Sequence, residues 1–227
     1  MSNQPRDSTF AREIARQHFR RSDPTSWFDV LYREAQGQMR RVPWADDGPN
    51  THLVEWARAN SSHMDGPGRT AFVAGCGLGE DAEYLAAHGF DVLAVDISQT
   101  AIHWCRDRFP QSRVQYIAAD LLRLPFAASA GFDLVLEIYT VQSIPPEWRS
   151  SMMEALANLV APGGLLLSIA RGRDEADDPG DMPWPLTRTE LGTYEISGLK
   201  AGGFDDVIDD EDPPVRRFRS VFFRRSE

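Results

Sequence analysis

The sequence predicts an α/β fold in which a doubly wound, mostly parallel sheet carries a helical cap formed by the amino-terminal residues. From Arg69 onward, short apolar runs alternate with amphipathic stretches, which is typical of βα units around a parallel sheet. Residues 1–68 instead hold three amphipathic segments that would cover the sheet without extending it. A length of 227 residues suits one domain. We therefore expect a single domain over 1–227, with a cap at 1–68 and a core at 69–227.

The expected strands are short apolar runs, and turn-forming residues separate them from the expected helices. The last two strands flank Asp212-Pro213-Pro214 and predict an antiparallel pair at one edge of the sheet. A capping box from Thr187 to Glu190 predicts a short helix that ends near Gly198. The expected strands are Thr70 to Ala74, Asp91 to Val95, Val114 to Ala118, Phe132 to Ile138, Leu165 to Ala170, Phe204 to Ile208 and Val215 to Phe223. The other expected helices are Phe10 to Arg20, Ser26 to Glu34, His52 to Asn60, Asp81 to Ala87, the segment from the Ser98 N-cap to about Phe109, and Pro146 to about Val160.

Composition indicates an ordinary globular protein, with 42% hydrophobic and 26% charged residues. No run approaches the ~20 apolar residues that span a bilayer, and the amino terminus lacks the apolar core of a secretory signal. A net charge of -10 argues against a nucleic-acid substrate. Cys76 and Cys105 are too few for a disulfide framework and lack metal-ligand spacing. We expect a cytoplasmic protein with no metal, nucleic-acid or membrane partner, and leave its oligomeric state open.

A glycine-spaced turn joins the first expected strand to the helix after it. Gly75, Gly77 and Gly79 lack a Cβ, so they permit a tight turn and close approach of a ligand to the backbone. The helix start that follows offers amide donors and a positive dipole end. In a doubly wound sheet, ligands lie at the carboxyl ends of the strands. The turn therefore predicts a ligand site, although a glycine-rich turn alone is a weak signal.

Two aspartates strengthen this prediction because each ends a neighbouring strand. Asp96 follows the second strand about twenty residues downstream, where a carboxylate can accept both hydroxyl protons of an adenosine ribose. Asp120 follows the third strand and can accept a hydrogen bond from an adenine amino group. The alternatives are an N-cap or turn role for Asp96 and a turn role for Asp120.

The acidic residues after the turn discriminate between cofactors. A dinucleotide site uses G-x-G-x-x-G and binds a pyrophosphate at the helix start. Here the third glycine comes one residue earlier and Glu80 and Asp81 follow it, so two carboxylates would repel a pyrophosphate. They suit a ligand with an ammonium and a sulfonium group, which favours S-adenosylmethionine over NAD.

On these residues, the chain resembles the class I S-adenosylmethionine-dependent methyltransferases over about residues 69–170. The resemblance implies a Rossmann-like sheet of seven strands, in the order 3-2-1-4-5-7-6, whose last hairpin is reversed. It also implies transfer of a methyl group from S-adenosyl-L-methionine to an acceptor. The matching segments are Gly75-Cys-Gly-Leu-Gly79 with Asp81, Val95-Asp96-Ile-Ser98, Ala119-Asp120, Phe132-Asp133-Leu-Val and Leu159-Val-Ala-Pro-Gly-Gly164.

The resemblance also implies roles for individual residues. Gly75 and Gly77 would make room for the methionine part of the cofactor, and Asp81 would approach its amino group. Asp96 would hold the ribose hydroxyls, while Asp120 and the backbone of Leu121 would bind the adenine. The predicted cofactor-binding residues are Gly75, Cys76, Gly77, Gly79, Asp81, Asp96, Ile97, Asp120, Leu121, Glu137 and Trp44.

A narrower resemblance points to the branch that holds thiopurine, thiol and halide methyltransferases. It rests on Trp27 to Tyr32, Val42-Pro-Trp44, Pro49-Asn50, Asp181 to Leu186 and Arg216-Arg-Phe. In that branch's pattern, Trp44 would flank the cofactor or roof the acceptor pocket. A small-molecule acceptor with a thiol, or with an oxygen or nitrogen nucleophile, is then expected.

Glu137, Tyr139 and Gln142 follow or end the fourth strand and are the candidate catalytic residues. A thiolate needs little beyond desolvation and positioning, whereas an alcohol or phenol usually needs a general base. Two other classes stay open. The chain could be a non-catalytic S-adenosylmethionine-binding sensor or accessory protein, or a nicotinamide-dependent oxidoreductase on the same fold.

Overall fold

A computed structural model describes residues 9–19, 23–124 and 131–226. In these ranges seven strands form one sheet in the order β3-β2-β1-β4-β5-β7-β6. Strands β1 to β5 pair in parallel, and β7 pairs antiparallel with both β5 and β6. The predicted fold class, strand order and reversed last hairpin are confirmed. The strands are β1 (Thr70–Ala74), β2 (Asp91–Asp96), β3 (Gln115–Ala118), β4 (Phe132–Ile138), β5 (Val160–Arg171), β6 (Lys200–Ile208) and β7 (Arg216–Phe223).

The helices lie close to where the sequence predicts them. One difference is the short helix before β6, which is divided into two at Gly192. Its capping box is present, since the Thr187 side chain accepts from the Glu190 N–H and the Glu190 carboxylate accepts from the Thr187 N–H. The helices are α1 (Thr9–Phe19), α2 (Trp27–Ala35), α3 (Thr51–Ala59), α4 (Glu80–Ala87), α5 (Gln99–Arg108), α6 (Pro146–Asn158), α7 (Arg188–Leu191) and α8 (Thr193–Ile196).

Both faces of the sheet are covered, which explains the continuous apolar runs of its central strands. Successive side chains of β1 alternate between two clusters. Ala71 and Val73 pack with residues of α3, α4 and α5. Phe72 and Ala74 pack on the other face, with residues of α6, α7 and α8. This alternation follows from the two-residue period of a strand.

Strand β5 begins earlier than expected. The sequence predicts a turn at Pro162-Gly163-Gly164, but pairing with β4 already starts at Val160 and continues across a register shift. Gly164 permits this because an added Cβ there would lie 2.7 Å from the carbonyl oxygen of Phe132. The predicted turn is therefore an irregularity within one long strand.

The amino-terminal helices lie on the sheet as a cap. Trp27 and Tyr32 of α2 are buried, and the Trp27 ring stacks on Phe28 with centroids 3.9 Å apart. The Asp29 carboxylate accepts hydrogen bonds from the Ser98 hydroxyl and the Thr100 N–H, at 2.8 and 3.1 Å. These bonds tie the cap to the start of α5. Across the described ranges, no helix combines the length and the apolar character needed to span a membrane.

Candidate functional site

The turn between β1 and α4 is built on three glycines with positive φ. The angles are +60° at Gly75, +55° at Gly77 and +94° at Gly79, a region that L side chains rarely adopt. A Cβ at Gly75 would also lie 2.4 Å from Oγ1 of Thr140. Gly79 is the N-cap of α4, so the positive end of the helix dipole directly follows the turn.

Two aromatic side chains of the cap lie over this turn. A Cβ at Gly77 would be 3.3 Å from the Tyr32 hydroxyl and 3.8 Å from the Trp44 ring. Nε1 of Trp44 donates to the Tyr32 hydroxyl at 2.7 Å, which holds the two rings together. Cys76 is buried in the turn, and the adjacent Cys105 thiol together with burial raises the pKa of the Cys76 thiol. Cys76 therefore packs the core as a neutral thiol.

Asp96 ends β2 with only 6% of its surface exposed. Its Oδ2 accepts from the Gly77 N–H at 2.9 Å, and its Oδ1 accepts from the Ser98 N–H at 2.8 Å. Burial raises the pKa of Asp96 to about 6, although both N–H groups favour the ionised form. Ile97, which stands between Asp96 and Ser98 in the chain, is half-buried. The carboxylate is thus fixed beside the glycine turn, and its oxygens retain lone pairs for further donors.

Asp81 lies in the first turn of α4 and is half-buried. Its Oδ1 accepts from the backbone N–H of Asn50 at 2.7 Å. Burial raises the pKa of Asp81 to about 7, and repulsion from Glu80 and Asp46 adds to the rise. A cation beside this carboxylate would relieve that repulsion and favour its ionised form.

Asn50 connects Asp81 to the fourth strand, a role that the sequence does not mark. Its Oδ1 caps α3 by accepting from the N–H groups of His52 and Leu53. Its Nδ2 donates to the Tyr139 hydroxyl at 3.3 Å. In the sequence, Asn50 belongs to Pro49-Asn50, one of the segments behind the narrower resemblance, and nothing there marks its contacts with Asp81 and Tyr139.

Tyr139 lies just beyond β4 with a φ of +59°. The Arg217 guanidinium lies 4.9 Å from the centre of its ring. Burial raises the pKa of the Tyr139 hydroxyl, although the charge of Arg217 opposes the rise. The hydroxyl therefore stays protonated near neutral pH, which suits positioning better than general-base catalysis.

Glu137 is predicted to bind the cofactor and to take part in catalysis, but its carboxylate is enclosed by protein groups. It is fully buried. Its Oε1 accepts from the N–H groups of Thr140 and Val141, at 2.8 and 3.0 Å, and its Oε2 accepts from the Ser168 hydroxyl at 2.7 Å. Burial raises the pKa of Glu137. Because its oxygens already serve three protein donors, its place in the structure indicates a role in holding the turn after β4.

Gln142 is likewise engaged by the protein and not placed as a base. It is buried, and its Oε1 accepts from the Arg171 N–H at 2.6 Å. Its carbonyl oxygen accepts from the Trp184 N–H at 3.0 Å. Gln142 therefore links the turn after β4 to the end of β5.

Asp120 caps a short 3-10 turn after β3, with its Oδ1 accepting from the Leu122 N–H at 2.9 Å. Leu121 is buried in that turn. Asp120 also lines a surface cleft of about 420 Å³ whose other walls include Pro24 and Trp148. Both the turn role and the predicted adenine role fit this position, so the adenine role stays a prediction.

The charged groups of this arrangement fit the predicted cofactor. The glycine turn lies beside two carboxylates, Asp96 and Asp81, whose pKa values burial raises to about 6 and about 7. Hydroxyl donors at Asp96 and an ammonium group at Asp81 would both stabilise the ionised carboxylates. Asn50 and Tyr139 continue from Asp81 towards the ends of β4 and β5. The ligand contacts of these residues stay predictions.

Comparisons with known proteins agree with the fold and with the predicted cofactor. Residues 72–164 match the family model described as a methyltransferase domain. A probable S-adenosylmethionine-dependent methyltransferase of Mycobacterium tuberculosis (strain ATCC 25618 / H37Rv) is 30% identical over 141 residues, covering 61% of this chain and 50% of that protein. A carboxy-S-adenosyl-L-methionine synthase of Stutzerimonas stutzeri (strain A1501) is 29% identical over 222 residues, covering 91% of this chain and 80% of that protein. The chain thus spans about half the length of the first relative and most of the second.

A solved structure shares this fold. It is the 1,6-didemethyltoxoflavin-N1-methyltransferase of Burkholderia thailandensis, solved with bound 1,6-didemethyltoxoflavin and S-adenosylhomocysteine. The TM-score is 0.67 at 17% identity, with 100% of this chain and 92% of that chain covered. S-adenosylmethionine, the predicted cofactor, is named for the Mycobacterium tuberculosis relative, and carboxy-S-adenosyl-L-methionine is named for the Stutzerimonas stutzeri relative. The chain therefore has a Rossmann-like methyltransferase fold, and residues 72–164 match the model of a methyltransferase domain.

Proposed function

We propose that this protein transfers a methyl group from S-adenosylmethionine to a small-molecule acceptor. The observation that carries the proposal is the contact between Asp96 and the N–H of Gly77, which joins the end of β2 to the glycine turn. Asp96 would then accept from the ribose hydroxyls, and the turn from Gly75 to Gly79 would lie against the methionine part. Asp81 would bind the amino group of that part.

When bound, S-adenosylmethionine supplies a methyl group that its sulfonium has already activated for in-line displacement. The protein's contribution is then mainly proximity and alignment, which can be worth ~7–11 kcal/mol. Trp44 and Tyr32 lie over the turn and would exclude water from it. Tyr139, held by Asn50, would border the acceptor.

We further propose a soft acceptor such as a thiol. Glu137 and Gln142 are engaged by protein groups, and the pKa of Tyr139 is raised. None of these three therefore suits the general base that an alcohol would usually need. The resemblance of the cap around Trp44 to the thiopurine and thiol branch supports the same acceptor class.

Calorimetry with S-adenosylhomocysteine tests the cofactor site. We expect Asp96→Ala to weaken binding by ~1.5–3 kcal/mol, through loss of hydrogen bonds to a charged group. Asp91→Ala is the matched control, because Asp91 is exposed at the other end of β2. Equal affinity of the Asp96→Ala variant and the wild type, with the fold intact by circular dichroism, contradicts the proposal.

Two further measurements separate the alternatives. Binding of NADH in place of S-adenosylhomocysteine would indicate the oxidoreductase. Binding of S-adenosylhomocysteine with no methyl transfer to a broad panel of thiols, phenols and amines would indicate a sensor or accessory protein.

A second candidate function is modification of the cofactor itself. It is favoured by the similarity to a carboxy-S-adenosyl-L-methionine synthase, which extends over 91% of this chain. Mass spectrometry of the adenosyl compounds, after incubation with compounds that can donate a carboxyl group, distinguishes this function from methyl transfer. Only modification of the cofactor yields a carboxylated adenosyl compound.

A further inference from the structure

Arg171 is the last residue of β5, at the edge of the sheet where ligands of doubly wound folds lie. Its backbone is fixed on both sides. The N–H donates to Oε1 of Gln142 at 2.6 Å, and the carbonyl oxygen accepts from the Leu186 N–H at 2.8 Å. Across the sheet it pairs with Arg217 of β7. The base of this side chain is therefore held rigidly at the end of the strand.

The Arg171 guanidinium has no acceptor of its own among the described residues. Two acids are bound by its neighbour Arg217, since Asp209 lies 2.6 Å from Nε of Arg217 and Glu211 contacts the same guanidinium. Arg171 is half-buried. Burial lowers the pKa of its guanidinium and the positive charge of Arg217 lowers it further, while the charge of Glu211 offsets only part of the fall. A half-buried charge beside a like charge is unfavourable unless an anion compensates it.

Arg171 also lies on the side of the molecule where an acceptor would enter. Arg12 is close enough for its charge to act on the Arg171 guanidinium. Tyr139 contacts Arg217 through its ring and Asn50 through its hydroxyl, and Asn50 in turn binds Asp81. A series of contacts thus leads from Asp81 to the Arg217 guanidinium, and Arg217 is the β7 partner of Arg171.

We propose that Arg171 binds a carboxylate on the methyl acceptor, so that the natural substrate is a small organic acid. The inference rests on the proposed function and assigns Arg171 as its specificity-determining residue. A planar guanidinium matches a carboxylate with two parallel hydrogen bonds, which gives orientation as well as affinity. Gln142 acts as a positioning residue because it holds the Arg171 backbone.

The test is calorimetry on the full chain saturated with S-adenosylhomocysteine, with benzoate and benzamide as probes of equal shape. We expect benzoate to bind at least about tenfold more tightly than benzamide, and Arg171→Gln to abolish the difference. Arg171→Lys should restore part of it, since the charge returns without the planar donor pair. Arg58→Gln, on the exposed side of α3, also removes one positive charge and should leave the binding of benzoate and benzamide unchanged.

A transfer assay with 4-mercaptobenzoate and 4-mercaptobenzamide adds a second readout. The acid should have the lower KM in the wild type, and Arg171→Gln should raise that KM while leaving the amide unaffected. Two results overturn the inference: equal binding of benzoate and benzamide to the wild type, or a loss of benzoate binding in Arg58→Gln as large as that in Arg171→Gln. If S-adenosylhomocysteine still binds in that experiment, the proposed function stands. Failure of S-adenosylhomocysteine to bind overturns the proposed function first, and the inference falls with it.

Discussion

At the scale of single residues, three carboxylates near the ends of β1, β2 and β4 have raised pKa values but different partners. Asp96 accepts two backbone N–H groups and Asp81 accepts one. Glu137 serves three donors inside the sheet and is fully buried. A raised pKa is often read as a sign of a catalytic acid or base. Here burial alone explains the raised pKa of Glu137, and its partners indicate a structural role.

We expect Glu137→Ala to lower the free energy of unfolding by about 3 kcal/mol or more. It would leave the N–H groups of Thr140 and Val141 and the Ser168 hydroxyl buried without their acceptor, at ~1–3 kcal/mol each before relaxation. Urea denaturation measures the loss, and Glu137→Gln, which keeps one acceptor oxygen, should lose less. A large fall in kcat with unchanged stability would instead show that Glu137 takes part in catalysis.

At the scale of elements, the turn after β1 and the turn after β4 are packed against each other. The Thr140 hydroxyl donates to the carbonyl of Ala74 at 3.1 Å, and it occupies the space where a Cβ of Gly75 would be. Asn50 adds a second link, from α3 to both α4 and the turn after β4. The site is therefore assembled from turns that support one another.

Gly75→Ala should disrupt this packing. The added methyl group meets Thr140 at 2.4 Å on a backbone with a φ of +60°, and a non-glycine residue held in such a conformation costs on the order of 1–3 kcal/mol. Gly203→Ala is the matched control, because nothing lies within 4 Å of its Cβ position and its φ is not in the left-handed region. Equal urea midpoints for the two variants would refute the proposed packing constraint.

At the scale of the whole molecule, two acids with raised pKa values flank the glycine turn in a protein of net charge -10. Both start from a usual value of 3.8 and rise to about 6 for Asp96 and about 7 for Asp81, chiefly because of burial. The folded state thus holds these protons more tightly than the unfolded state. The stability that they contribute is full below about pH 3.8 and is lost as the pH rises through 6 and 7.

A bound ligand with an ammonium group should reverse this preference, because it favours ionised Asp81. We expect the affinity for S-adenosylhomocysteine to rise severalfold between pH 5.5 and 8, with protons released on binding. Calorimetry in buffers of different ionisation enthalpy measures the release. Asp81→Asn should remove the upper part of the dependence, and an affinity that is flat over this range would contradict the ligand role of these acids.

The sequence by itself determined the alternation of strands and helices, the glycine turn and the position of Asp96. These features are local: apolar periods, N-caps such as Ser98 and chain-reversing glycines act within a few residues. Expected boundaries such as Thr70 to Ala74 and Phe132 to Ile138 therefore coincide with β1 and β4.

Only the tertiary structure decided which polar groups are already engaged and which remain free. Glu137 meets Ser168 from 31 residues away, Gln142 meets the backbone of Arg171 from 29 residues away, and Asn50 reaches Tyr139 across 89. A carboxylate or amide at the end of a strand looks the same in sequence whether it faces a ligand or a neighbouring turn. Its partner is set by how distant segments pack, because a buried polar group must be satisfied by whatever donor or acceptor the fold brings to it.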